Sequence, residues 1–308
     1  MMQHKIQIKS PATIANLVCG FDILGLAVEE PYDLMSLEIT DHKGLEIVHT
    51  DAYQLPTVSE ENVAGAALLA LLSEIENPPG LKLTVDKRIK PGSGLGSSAA
   101  SAAGAVMAAN LLLNKNFSQE DLVRFAMFGE KVASGVKHAD NITPCLLGGV
   151  TLIRSIMPLD IVKLDAPELH ITIVHPQIEV KTSDARQILK KEVQMKNAIK
   201  QWGNIAGLVA GFMKKDTALI GRSLEDVIIE PVRSILIPGF DEIKSVSKAV
   251  GALGGGISGS GPSIFMLSEE ISIATSIENE MKNIYSRMGI DFKTYVTRLN
   301  REGIKIVD

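Results

Sequence analysis

The stretch Pro91-Gly92-Ser93-Gly94-Leu95-Gly96-Ser97-Ser98-Ala99-Ala100-Ser101 constrains the fold more than any other part of this chain. Its alternating glycines remove every Cβ that would hold a ligand away from backbone N–H groups, and they permit the positive φ that a nest of amides needs. From Ser97 to Ala109 the residues are small, apolar and helix-forming, so the loop ends on a helix N-terminus. Such an end carries about half a positive charge and several unpaired donors, which suits a phosphate. The serine hydroxyls add possible contacts to phosphate oxygen or magnesium. The competing reading is a flexible Gly/Ser turn ahead of a buried Ala-rich helix. A turn alone does not need so many small residues continuing into the helix.

Two familiar phosphate motifs are excluded by context. A P-loop requires a Gly-Lys pair, and the chain contains none. Gly254-Gly255-Gly256-Ile257-Ser258-Gly259 has the form of a dinucleotide fingerprint, yet it leads into the strand-like run Ser263-Ile264-Phe265-Met266-Leu267 where a helix would be needed. The match is accidental on this reading. Aromatic residues make up only 4% of the chain and its net charge is -5, so it lacks the basic stripe and stacking platforms of a nucleic-acid binder. An anionic nucleotide must be held by local devices, because the overall field mildly repels it. Cys19 and Cys145 are the only cysteines; they argue for a reducing compartment and read as small core fillers. The N-terminus lacks the apolar region of a signal peptide, and no apolar run reaches the roughly 18 residues of a membrane span. A cytoplasmic protein with no membrane partner is expected.

At 308 residues the chain has room for two modest domains or one large one. Lys5-Ile6-Gln7-Ile8-Lys9 alternates like a half-buried strand and feeds a segment in which Asn16 and Asp22 stand among apolar residues. These two read either as turn formers or as site residues. Leu34–Thr40 and Leu45–His49 read as strands paired across the Asp41-His42-Lys43-Gly44 turn, Asn62 to Ile75 as a helix, and Leu81–Asp86 as the strand that delivers the chain to the glycine loop. Ser118-Gln119-Glu120-Asp121 predicts a capped helix that carries Glu130, a residue type most often solvated or paired with Lys in that setting. Polar residues cluster from Lys137 to Pro144, just before the apolar run Cys145–Ile153, read as a strand. Such a cluster is expensive to bury unless its members bind one another or a ligand. Beyond residue 165 the expected order is strand Leu169–His175, helices from Ser183 to Leu224, helix Asp241–Val250, strand Ser263–Leu267, helix Ile271–Met288 and strand Phe292–Val296. A split β-α-β arrangement of ferredoxin-like type, antiparallel with helices on one face, accounts for it. The chain thus divides into residues 1–165 and 166–308.

Three segments together carry a family likeness: Pro11-Ala12-Thr13-Ile14-Ala15-Asn16 through Asp22, Gly92 through Ala99, and Gly254 through Pro262. In this order across nearly the whole length, they resemble the GHMP small-molecule kinases. Glu130 and the His138-Ala139-Asp140-Asn141 cluster add a resemblance to the homoserine kinases among them. Val18-Cys19 departs from the Gly and small residue usual there, which bears on the loop's backbone and not on Asn16 or Asp22. The resemblance implies an α+β, two-domain fold, N-terminal ribosomal protein S5 domain 2-like and C-terminal ferredoxin-like. It implies ATP and homoserine as substrates, with magnesium and with a homodimer through the C-terminal domain. By the same likeness the triphosphate lies over Pro91, Gly92, Ser93, Gly94, Leu95, Gly96, Ser97, Ser98, Ala99, Ala100 and Ser101, with Asn62, Val63 and Lys87 bordering the adenine. Ser98 and Glu130 hold the metal. Arg186 and Arg233, with Thr182 nearby, take the substrate carboxylate; Asp22 and Asp140 take its ammonium; Asn16, His138 and Asn141 orient the remaining polar atoms, including the accepting oxygen. No protein base is implied, and the hydroxyl proton passes to the phosphate. Other substrates of the family, such as mevalonate, sugars or a diphosphocytidyl polyol, and a non-catalytic sensor of the same fold, are the alternatives.

Overall fold

The structure, a computed structural model, describes residues 4–178, 180 and 182–307, and at 134 and 182–184 the backbone alone. Its first half holds β1 (Lys5–Ala15), β2 (Leu24–Thr40), β3 (Leu45–His49), α1 (Val63–Leu72), β4 (Gly80–Asp86), α2 (Ser97–Leu112), α3 (Gln119–Ser134), α4 (Ile142–Leu147), β5 (Val150–Ile156) and β6 (Leu159–Leu164). The second half holds β7 (His170–Pro176), α5 (Thr182–Gln187), α6 (Met195–Lys214), α7 (Thr217–Ser223), α8 (Glu230–Arg233), α9 (Phe240–Ala249), β8 (Gly254–Ile257), β9 (Ile264–Ser268), α10 (Ile271–Met288), β10 (Phe292–Arg298) and β11 (Lys305–Ile306). Among the described residues no helix is long and apolar enough to cross a membrane.

The first sheet runs β11-β1-β2-β4-β3, with β5 also on β2 and β6 on β5. Against the hairpin expected across Asp41–Gly44, β3 pairs in parallel with β4, Leu45 opposite Leu81 and His49 opposite Val85. β4 takes the place beside β2, antiparallel, with Leu37 opposite Leu83. The reason is α1, which bridges β3 and β4 as a crossover and needs the parallel arrangement to lie on the sheet. The apolar run from Cys145 also differs from expectation. Ile142–Leu147 winds into α4, and the strand starts at Val150 after Gly148 and Gly149, both at positive φ (68° and 74°). A short apolar run has no period that separates a buried helix from a buried strand.

The small residues of α2 let it lie close on β1 and β2. Ala99, Ala100, Ala102, Ala103, Ala105, Ala108 and Ala109 are fully buried, and a Cβ on Gly104 would come 2.4 Å from Met35 Sδ. In the second sheet, β10-β7-β9-β8, every pairing is antiparallel as expected. Its burial departs from the one-faced arrangement. Along β9, Ile264 and Met266 pack with Ile243 of α9 and Ile277 and Met281 of α10, whereas Phe265 and Leu267 join the core of the first half together with Leu208 and Phe212 of α6. Both faces of this sheet are therefore covered. The chain then crosses back, and β11 pairs with β1, Ile306 opposite Ile8.

Candidate active site

Gly92, Gly94 and Gly96 take φ values of 73°, 79° and 65°, and Gly96 stands as the N-cap of α2. A Cβ at Gly96 would lie 2.0 Å from Thr13 Oγ1 and 2.9 Å from Asn141 Oδ1. The helix has no side-chain cap and no acidic residue in its first turn, so any charge that offsets its positive end comes from elsewhere in the fold. The loop is braced from both halves of the chain. The Ser97 hydroxyl donates to Ile89 O (2.8 Å), the Ser258 hydroxyl to Gly94 O (2.7 Å), and Ser263 N to Ser93 O (3.2 Å). The third glycine segment is thus a buttress for the first, through backbone and Ser258.

Beneath the loop, the buried Lys87 ammonium pairs with the fully buried Asp33 carboxylate and donates to Ser97 O (2.6 Å) and Ser101 Oγ (2.9 Å). Asp33 also accepts the amides of Arg88 and Ile89, each at 2.8 Å. Nothing in the sequence singles out Asp33, which is one of four carboxylates along β2 with Glu29, Glu30 and Glu38. Ser93, Leu95, Ala99 and Ala100 have buried side chains, which leaves them their backbone alone for a ligand. Ser98 is different: its hydroxyl turns into the cleft and donates to Glu130 Oε2 at 2.9 Å. Two hard oxygen donors so meet at the helix end.

A continuous cavity of about 520 Å³ runs from this loop in two directions. One end is apolar, lined by Leu55, Pro56, Val63 and Val85. Its wall is fixed by Asn62, whose Oδ1 caps α1 at Ala64 N and Gly65 N and whose Nδ2 donates to Pro56 O (2.6 Å) and lies 3.1 Å from His49 Nε2. Asn62, Val63 and Lys87 line the cavity, but the polar atoms of Asn62 and Lys87 are spent on the protein.

The other end is charged. Asn16, Leu17 and Val18 turn through successive left-handed conformations (φ 73°, 42° and 67°), and Asp22 is left-handed too at 62°. Each such residue costs about 1–2 kcal/mol. Leu17 and Val18 are buried, which returns about 1.5–3 kcal/mol apiece, so the turn stands without glycine at these positions. The Val18-Cys19 departure therefore leaves the turn intact. Asn16 Oδ1 accepts Asp22 N (3.0 Å) and its Nδ2 donates to Gly259 O (2.9 Å).

Into this turn reach both arginines. Arg186 Nη2 donates to both Asp22 oxygens (2.8 and 3.0 Å) and lies 2.9 Å from His138 Nε2. A guanidinium only donates, so Nε2 accepts and the imidazole is neutral. Burial holds the His138 pKa below the usual range; Asp22 pulls it up and Arg186 down. Arg233 is buried, its Nε bound to Ala185 O (2.9 Å) and Nη1 to Gly259 O (3.2 Å). Asp140 is buried as well; burial first, then Asp22 and Glu130, push its pKa up to about 7. Asn141 Oδ1 accepts the Thr13 hydroxyl at 2.7 Å. Thr182 begins α5, and its side chain lies outside the described residues. Phe21, which sequence reasoning passed over, lies beneath both guanidinium groups. Cations and carboxylates thus alternate at one end of a cleft whose middle is a helix N-terminus, an arrangement able to hold a phosphate chain beside a small zwitterion.

A model of the GHMP kinases N terminal domain matches residues 62–149, and one of the GHMP kinases C terminal region matches residues 208–287. The homoserine kinase of Chloroherpeton thalassium is 41% identical over 312 residues, spanning 97% of this chain and 98% of its own length. That of Methanococcus vannielii is 38% identical over 285 residues, spanning 92% and 93%. A crystal structure of homoserine kinase from Cytophaga hutchinsonii superposes with a TM-score of 0.96 at 46% identity, covering 100% of this chain and 98% of that one. Mevalonate kinase of L. major, solved with R-mevalonate, shares the fold at a TM-score of 0.74 and 16% identity.

Proposed function

This chain belongs to the homoserine kinases of the GHMP kinase family, and from that premise we propose that it phosphorylates the side-chain hydroxyl of L-homoserine with ATP, giving O-phospho-L-homoserine for threonine biosynthesis. The observation that carries the reading is the gathering of Asp22, Asp140, Arg186 and Arg233 at one end of the cleft that the α2 N-terminus opens into. Homoserine is a zwitterion at neutral pH with an uncharged hydroxyl. Arginine forks suit its carboxylate and aspartates its ammonium.

In this reading the first half of the chain holds the nucleotide and the second half supplies the arginines. The triphosphate rests on the loop amides from Gly92 to Ser98, with the base at the apolar end beside Val63. Ser98 Oγ and Glu130 Oε2 are a sparse oxygen pair of the kind magnesium accepts, since it keeps several of its waters. When bound there, the ion neutralises charge on the phosphates. Asn16, His138 and Asn141 set the direction of the homoserine hydroxyl, and Asp140 partners its ammonium. The hydroxyl oxygen bonds to the γ-phosphorus as the bond to the β–γ bridging oxygen breaks, and the hydroxyl proton passes to a γ-phosphoryl oxygen. Positioning and charge neutralisation supply the acceleration, because the transition state is loose. Both thiols are buried and unbridged, which accords with work in a reducing cytoplasm.

The test is ADP release from Mg-ATP with a panel of amino-acid alcohols. Homoserine is the expected substrate, and Glu130→Ala is expected to lose turnover by about a hundredfold or more, as removal of a charge-stabilising group does. Full activity in that variant, or preference for an uncharged alcohol, overturns the reading.

A further inference from the structure

Among the described residues Phe21 is the one phenylalanine, tyrosine or tryptophan lining the cavity, and both substrate-side arginines lie over it. Arg186 Cζ stands 5.3 Å and Arg233 Cζ 4.9 Å from the ring centroid. Two guanidinium groups that share one ring are close enough to repel each other. The repulsion shows in Arg233, whose pKa falls to about 10 through burial first and Arg186 second. The protein partners of the pair pull them apart: Arg233 is tied to carbonyls of Ala185 and Gly259, and Arg186 to Asp22 and His138. The two cations share the charges of Asp22 and Asp140 and the negative face of the Phe21 ring, and the ring offers one surface within about 6 Å of both guanidinium groups. The backbone that carries the ring is held in place. It belongs to the turn from Asn16 to Asp22, where Gly20 N bonds Asn16 O (2.8 Å) and Asp22 N bonds Asn16 Oδ1 (3.0 Å).

We infer that Phe21 is a positioning residue that seats Arg186 and Arg233 together as one clamp, so that the substrate carboxylate is read by the pair and not by either arginine alone. The inference rests on the amino-acid substrate proposed above. It also ties specificity to the fold, since the turn from the first half of the chain carries the ring and the second half carries both cations.

The experiment compares wild type with Phe21→Leu, Phe21→Met and Phe21→Trp, using L-homoserine and its carboxamide, which keeps the ammonium and hydroxyl but removes the carboxylate charge. Loss of the aromatic face is expected to raise the homoserine KM about tenfold in the Leu and Met variants, with ATP KM changed by less than about twofold. Phe21→Trp keeps a face and is expected to stay near wild type. With the carboxamide, the Leu and Met variants are expected to match wild type, because the clamp then has nothing to grip. An equal loss on both ligands, or a parallel rise in ATP KM, means that the ring merely packs the turn and overturns the inference. Calorimetric titration of homoserine into the same proteins without ATP reads the clamp without turnover. Tight homoserine binding with no ADP release from wild type would sink the kinase reading and leave the clamp standing; unchanged homoserine affinity in Phe21→Leu and Phe21→Met would sink the clamp alone.

Discussion

Asp140 is the residue whose chemistry most sharply divides two mechanisms. A carboxyl lifted to about 7 could serve as a base or, ionised, as the partner of an ammonium. Its neighbours favour the second use, because Asp22 and Glu130 add negative charge beside it, against Arg186, that an ammonium would offset, while the hydroxyl proton has a phosphoryl oxygen to go to. Asp140→Asn is accordingly expected to raise the homoserine KM by about tenfold or more and to leave kcat within about threefold. Loss of kcat at unchanged KM in steady-state kinetics would make Asp140 the base. The same shift has a consequence for stability. The carboxyl ionises at 3.8 in an unfolded chain but at about 7 in the folded one, so between these values the folded protein holds a proton that the unfolded chain has released. Stability therefore declines as pH rises through that window, and urea titrations of Asp140→Asn are expected to show a shallower decline. Phe21 and Asp33 lacked any local sequence pattern that marked them, because each acquires its role from a partner distant in the chain.

At the scale of the element, α2 owes its place to two independent features. The alanine face allows close approach to β1 and β2, and the Lys87–Asp33 pair pins its first turn from below through Ser97 O and Ser101 Oγ. Lys87→Met leaves the Asp33 carboxylate buried without a counter-charge and is expected to cost about 3–5 kcal/mol in chemical denaturation. Lys87→Met with Asp33→Asn is expected to recover part of that loss, since no bare charge remains and Asn Oδ1 still accepts the Arg88 and Ile89 amides. No recovery in the double variant would show that the pair acts through geometry and not charge. The glycine loop and its following helix were legible from composition, because φ preference and helix propensity belong to the residues themselves. α10 was legible for the same reason: its apolar stripe runs from Ile271 to Met288 and stops at Gly289, left-handed at φ 67°.

For the whole molecule, the two halves share one core. Ile171, Ile173, Phe265 and Leu267 of the second sheet cluster with the first, and β11 closes back onto β1. A single unfolding transition is expected, with coincident midpoints by far-UV circular dichroism and by fluorescence of Trp202 on α6; two resolved midpoints would mean that the halves unfold independently. The same sharing explains where sequence reasoning ended. Alternation, capping, glycine placement and family motifs announced most strands and helices, the phosphate loop and the candidate ligands, since each of these depends on residues a few positions apart. Strand order did not follow from them. β4 displaced β3 from the side of β2 because a crossover helix had to be accommodated, and the run from Cys145 split, its start winding into α4 and its remainder from Val150 pairing with β2. The Lys87–Asp33 pin, the second covered face of β9 and the ring shared by Arg186 and Arg233 likewise arise only on collapse. Pairing between distant segments is a competition among all available partners, and its outcome is written in the packed chain, not in any window of it.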